Sequence, residues 1–110
     1  MWYIREQTPL PEEDKMAAYL IAKVEVTDPE QYKQYIAATP GIIEKFGGRF
    51  IARGGETITL EGPEETRRVV LVEFPSLEQV KAFYNSEEYG AAVELRKGAA
   101  IMYLIAVEGV

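Results

Sequence analysis

The chain contains neither histidine nor cysteine. That removes the usual proton carrier near neutral pH, every thiol nucleophile, and the Ser-His and Cys-His arrangements. Acid–base work is left to carboxylates, lysine and tyrosine, with arginine as a charge clamp. Four charged residues fall on strand-like stretches where alternation assigns a face. Lys23 and Glu25 share the face of Tyr19 and Ile21, Arg53 that of Arg49 and Ile51, and Glu73 that of Val69 and Leu71. This phase predicts a partly buried pocket on one sheet face. There Arg53 would clamp a carboxylate bidentately and Glu73 would serve as a base with a shifted pKa, the two being the candidate catalytic residues. Tyr19, Ile21, Lys23, Ile51 and Leu71 would hold the ligand. The competing expectation is that Lys23, Glu25, Arg53 and Glu73 form cross-strand ion pairs or rim contacts of a dimer, each worth at most ~1 kcal/mol.

Other chemistry-bearing patterns have plainer explanations. Gly47-Gly48 and Gly54-Gly55 lack the spacing of a phosphate-binding loop and suit a helix stop and a β-bulge. Tyr32, Tyr35, Phe46, Phe83, Tyr84 and Tyr89 recur at helical spacing, as core residues do. Glu64-Glu65 and Glu87-Glu88 sit in a turn and in a helix's first turn, where solvated carboxylates are favourable without a metal. No metal site and no cofactor is implied. Without histidine, haem ligation would fall to tyrosine.

These residues need elements to hold them. Residues 18–26 alternate, with Leu20, Ala22, Val24 and Val26 on one side, as a strand does. Asp28-Pro29-x-Gln31 is a helix start with N-cap, proline at the first position and capping-box spacing. Tyr32, Tyr35, Ile36, Ile43 and Phe46 form its apolar stripe. Pro40 inside it removes the bond to the Ile36 carbonyl and predicts a kink. A second strand over 49–53, interrupted at Gly54-Gly55 and continued over 57–61, leads to a third over 68–74. Ser76-Leu77-Glu78-Gln79 caps a second helix with Leu77, Val80, Phe83 and Tyr84 inward. A further helix runs from Glu87 to about Lys97, and a last strand from Ile101 to Val107. Strand, helix, two strands, helix, strand is the α+β split βαβ, ferredoxin-like order: a four-stranded antiparallel sheet with its helices on one face. The other face carries Tyr19, Ile21, Ile51, Val69 and Leu71. So much bare apolar sheet predicts a two-fold homodimer packed face to face.

At 110 residues the chain is one small domain. Residues 1–15 differ in composition from the rest. They read either as an N-terminal arm, packing Trp2, Tyr3 and Ile4 onto the domain or a partner, or as an appended start-site extension. The domain proper spans 16–110. A formal charge of −6 argues against nucleic acid or an anionic membrane as the main partner. With no spanning segment and no secretory signal, a cytoplasmic setting is expected.

AAYLIAKVEVTDPEQY (17–32), FGGRFIARGGE (46–56), RRVVLVEFPS (67–76), FYNSEEYGAAVELR (83–96) and the terminal VEG (107–109) resemble the DUF1330 family of the dimeric α/β barrel superfamily. The resemblance implies a ferredoxin-like protomer and a homodimer enclosing a barrel-like cavity, and it implies no reaction. Superfamily relatives include cofactor-free monooxygenases and lactone isomerases, which suggests proton transfer at an activated carbon. Two functions are therefore expected. One is a homodimeric protein binding, or acting without a cofactor on, a small carboxylated or partly apolar molecule. The other is a non-catalytic dimerisation module whose arm extends the interface.

Overall fold

The computed structural model describes residues 16–110, so the proposed arm with Trp2, Tyr3 and Ile4 lies outside the described residues. Strand β1 (Ala18–Val26) leads to helix α1 (Pro29–Lys45). Strands β2 (Arg49–Arg53) and β3 (Arg68–Phe74) follow, then helices α2 (Leu77–Tyr84) and α3 (Glu87–Leu95) and strand β4 (Ala100–Glu108). The sheet is antiparallel in the order β2-β3-β1-β4, which is the ferredoxin-like arrangement.

The helices begin and end where local chemistry dictates. Asp28 caps α1 by accepting the Gln31 amide at 3.2 Å, with Pro29 in the first turn. The capping box closes only halfway. The Gln31 side chain reaches forward and donates to the carbonyls of Leu95 and Lys97 at the end of α3. Gln79 behaves alike: its amide bonds the Ser76 cap while its side chain donates to the Phe46 carbonyl at the end of α1. Each cap thus also ties its helix to the end of another. Gly47, at φ +83°, ends α1, with Gly47 and Gly48 donating to Glu44 and Ile43.

Alternation on β1 and β3 sends Ala18, Leu20, Ala22, Val24, Val72 and Phe74 into the core beneath the helices. Phe83 and Tyr89 fill its centre, their rings 4.5 Å apart, with Phe74 5.3 Å from Phe83. Tyr84, expected inward, is half exposed: α2 stops there, and its inward stripe is completed by Val80 and Phe83.

Two expectations about the second strand need correction. It does not resume over 57–61; Ile58 and Leu60 stand in an irregular, exposed connection between β2 and β3. The irregularity also lies earlier than Gly54-Gly55. The pairing steps from Phe50↔Val72 to Ala52↔Leu71, so Ile51 is the extra residue of a bulge inside the strand.

Candidate functional site

The bulge decides where the charged residues go. Before it, Arg49 pairs with Glu73 and faces away from the helices; after it, Arg53 pairs with Val70, whose side chain faces them. Uninterrupted alternation would have kept Arg53 with Arg49 and Ile51. One inserted residue reverses the phase and turns Arg53 to the helix side. Arg53 and Glu73 therefore stand on opposite faces of the sheet, and no clamp-and-base pair forms within the protomer.

On the open face the structure does bring together Tyr19, Ile21, Lys23, Ile51, Leu71 and Glu73. Ile21 lies between Leu71 and Ile105, and Tyr19 between Glu73 and Val107. Glu73 accepts from Arg49 Nε at 2.7 Å and from the Tyr19 hydroxyl at 3.1 Å. The Arg49 bond chiefly, with the Tyr19 bond, holds the Glu73 carboxyl below its ordinary range. The Tyr19 phenol is correspondingly raised, first by its bond to Glu73. Lys23 pairs with Glu65 at 3.4 Å, and Glu65 is also held by Arg67 through both oxygens. The side-chain bond from Arg67 is the main cause that lowers Glu65 to about 2. Each of these five residues, Lys23, Glu65, Arg67, Arg49 and Glu73, is engaged in an ion pair.

The helix side is different. A cavity lies between the sheet and α1, with about 50 Å³ of space for the centres of water-sized molecules. Its walls are apolar side chains of β1, β3 and β4, with Phe50, Ile36, Ile43 and Phe83. Tyr32, Tyr35, Thr39, Tyr89, Arg53 and Arg68 complete the lining. Among the described residues lining it there is no carboxylate. Arg53 lies over the Phe50 ring, 4.3 Å from its centre, and donates to the Ile36 carbonyl at 2.9 Å. Arg68 is seated across Gly54, where φ is +73° and a Cβ would lie 2.3 Å from Nη1. Its Nε is buried with no hydrogen-bond partner, a costly state for a charged donor.

Behind this wall the hydroxyls of Tyr35 and Tyr89 share a 2.6 Å hydrogen bond, and Arg96 lies 5.3 Å from the centre of the Tyr35 ring. Burial works against the Arg96 charge, but the hydroxyls of Tyr89 and Tyr35 more than offset it. Burial raises the Tyr35 phenol far above its usual range, so its hydroxyl is a hydrogen-bond donor at any ordinary pH. Burial also raises Tyr32, and the charges of Arg68, Arg96 and Arg53, in that order, oppose it. Two of these arginines, Arg53 and Arg68, line the cavity together with Tyr32. Such a site can hold an anion and donate hydrogen bonds to it. Arg68 carried no signal in the sequence beyond its strand phase, and Arg96 follows a helix that alternation does not orient. Among the described residues, no group of three or more acidic side chains is placed to hold a metal ion.

The family model described as a domain of unknown function, DUF1330, matches residues 17–110. No curated protein matches the chain. Among solved structures, a protein of unknown function from Rhodopseudomonas palustris is 22% identical, with 87% of this chain and 84% of that one covered at a TM-score of 0.71. SnoaB, a cofactor-independent oxygenase from Streptomyces nogalater, is 9% identical, with 86% and 94% covered and a TM-score of 0.63. A protein of unknown function from Bacteroides fragilis, described as dimeric with a ferredoxin-like fold, is 17% identical, with 84% and 96% covered and a TM-score of 0.51. At these identities the likeness is one of fold.

Proposed function

The chain belongs to the DUF1330 family, and from that premise we propose that it is a homodimeric small-molecule-binding protein whose ligand is a compact, partly apolar carboxylate. The ligand occupies the cavity between sheet and α1. One observation carries this: Arg53 and Arg68 line an apolar cavity that offers no carboxylate among its described lining. A carboxylate pairs with charge from these two guanidinium groups while its apolar body meets the Phe and Leu walls. The Tyr32 hydroxyl adds a donor for a second oxygen, so the available chemistry is stabilisation of an oxyanion. SnoaB, described as a cofactor-independent oxygenase, shares the fold.

The homodimer is supported by the bare sheet face. Ile51, Ile101, Tyr103, Ile105 and Val107 are 44–65% exposed on one side of one sheet, a continuous patch that a second copy would cover. Tyr19, Ile21, Lys23 and Leu71 then belong to the interface between copies, and the ligand site to the opposite side of each sheet.

Calorimetric titration with benzoate and with benzamide, which match in shape and differ in charge, tests the ligand class. Benzoate is expected to bind, benzamide not, and Arg68→Met to weaken benzoate by roughly tenfold or more, the loss of one charge-assisted hydrogen bond. Equal behaviour of the two probes, or binding of neither, would overturn it.

A further inference from the structure

Helix α1 runs through Pro40 without interruption from Pro29 to Lys45. A proline there has no N–H for the carbonyl four residues earlier, which is that of Ile36, and its ring crowds the same carbonyl. In a helix otherwise well capped at both ends, Pro40 removes one backbone hydrogen bond. The structure shows where the freed carbonyl goes: it accepts Nη2 of Arg53 at 2.9 Å. We propose that Pro40 is a positioning residue for ligand binding, because by releasing the Ile36 carbonyl it provides the anchor that holds the Arg53 guanidinium at the rim of the cavity. The proposal rests on the cavity being the anion site.

Three features of the chain cooperate in this. The bulge at Ile51 turns Arg53 to the helix side, the Phe50 ring supports the guanidinium plane from 4.3 Å, and the Ile36 carbonyl fixes its rotation. A guanidinium carries five N–H donors, so the anchor leaves the others for an anion. Arg53 is exposed, and an exposed arginine without such anchors samples many rotamers that binding must then restrict. Fixing it beforehand raises affinity without any added contact to the ligand. Pro40 itself does not line the cavity.

The experiment is a double-mutant cycle with benzoate as the probe. Pro40→Ala restores the N–H and turns the Ile36 carbonyl back along the helix axis. The variant is expected to melt at a higher temperature than the parent protein while binding benzoate roughly two- to tenfold more weakly, the cost of ordering one freed side chain. A proline with a purely structural role would move stability without moving affinity. In the Arg53→Ala background, Pro40→Ala is expected to leave affinity unchanged, because the group it positions is gone. Benzoate affinity equal to the parent, or the same loss with and without Arg53, overturns the proposal and leaves the cavity assignment standing. Failure of the parent protein to bind benzoate overturns the cavity assignment itself. The anchor is then read independently by NMR of the Arg53 Nε–Hε group. It should be rigid in the parent and mobile in Pro40→Ala, and equal mobility in both would refute the anchor.

Discussion

Gly54→Ala should separate stability from binding. Gly54 sits at φ +73°, where a side chain costs about 1–2 kcal/mol. The added Cβ would also lie 2.3 Å from Arg68 Nη1 and 2.6 Å from Cζ, against an ordinary non-bonded separation of about 3.5 Å. The guanidinium must therefore retreat by about 1 Å or more. Because the obstructing atoms are the far end of a long side chain, Arg68 moves and the backbone need not. The expected stability loss stays near the backbone figure, about 1–2 kcal/mol, or several degrees in melting temperature for a domain of this size. The binding loss is larger in kind: displacing one charge-assisted donor is worth roughly 10- to 150-fold in benzoate affinity. Urea unfolding with and without benzoate measures both quantities. Gly55→Ala is the control, since its Cβ would meet nothing within 4 Å and its φ is not positive; it should behave as the parent. Gly54→Ala with undiminished affinity, or Gly55→Ala with an equal loss, would refute the seating of Arg68 across Gly54.

Tyr89→Phe keeps the ring against Phe83 but removes one half of the Tyr35–Tyr89 hydrogen bond. It should cost ~1–3 kcal/mol in urea unfolding, at the low end if water from the cavity replaces the hydroxyl; no loss would mean the pair contributes nothing. Replacing Leu71 and Ile51 by aspartate is expected to give monomers or aggregates in sedimentation, and an unchanged dimer would show that another face pairs. Glu65, lowered from 4.5 to about 2, contributes stability that is present above pH 4.5 and lost as pH falls toward 2. The acid limb of the stability–pH curve should therefore flatten in Glu65→Gln, and an identical limb would show that its partners Arg67 and Lys23 do not stabilise the folded state through it.

Much of this protein was legible in its residues because it depends on local rules. Alternation placed Leu20, Ala22 and Val24 in the core and Tyr19 and Ile21 outside it. Asp28-Pro29, Ser76 and Gly47 marked helix ends, since capping and left-handed turns involve only near neighbours. Element order then led to the four-stranded sheet, and the missing histidine and cysteine narrowed the chemistry to carboxylate, lysine, tyrosine and arginine. The position of Arg53 depended on something alternation does not contain. A bulge is a mismatch between two strands, visible only when β2 is laid against β3, and it sent the residue to the face opposite Glu73. Pro40 was readable as a lost hydrogen bond to Ile36, whereas the group that takes up that carbonyl comes from a distant strand. The cavity likewise joins all three helices and all four strands, far apart in the chain. Its charge balance, arginines without a lining carboxylate, follows from which side chains the packed sheet and helices aim at one another, a property of the tertiary structure alone.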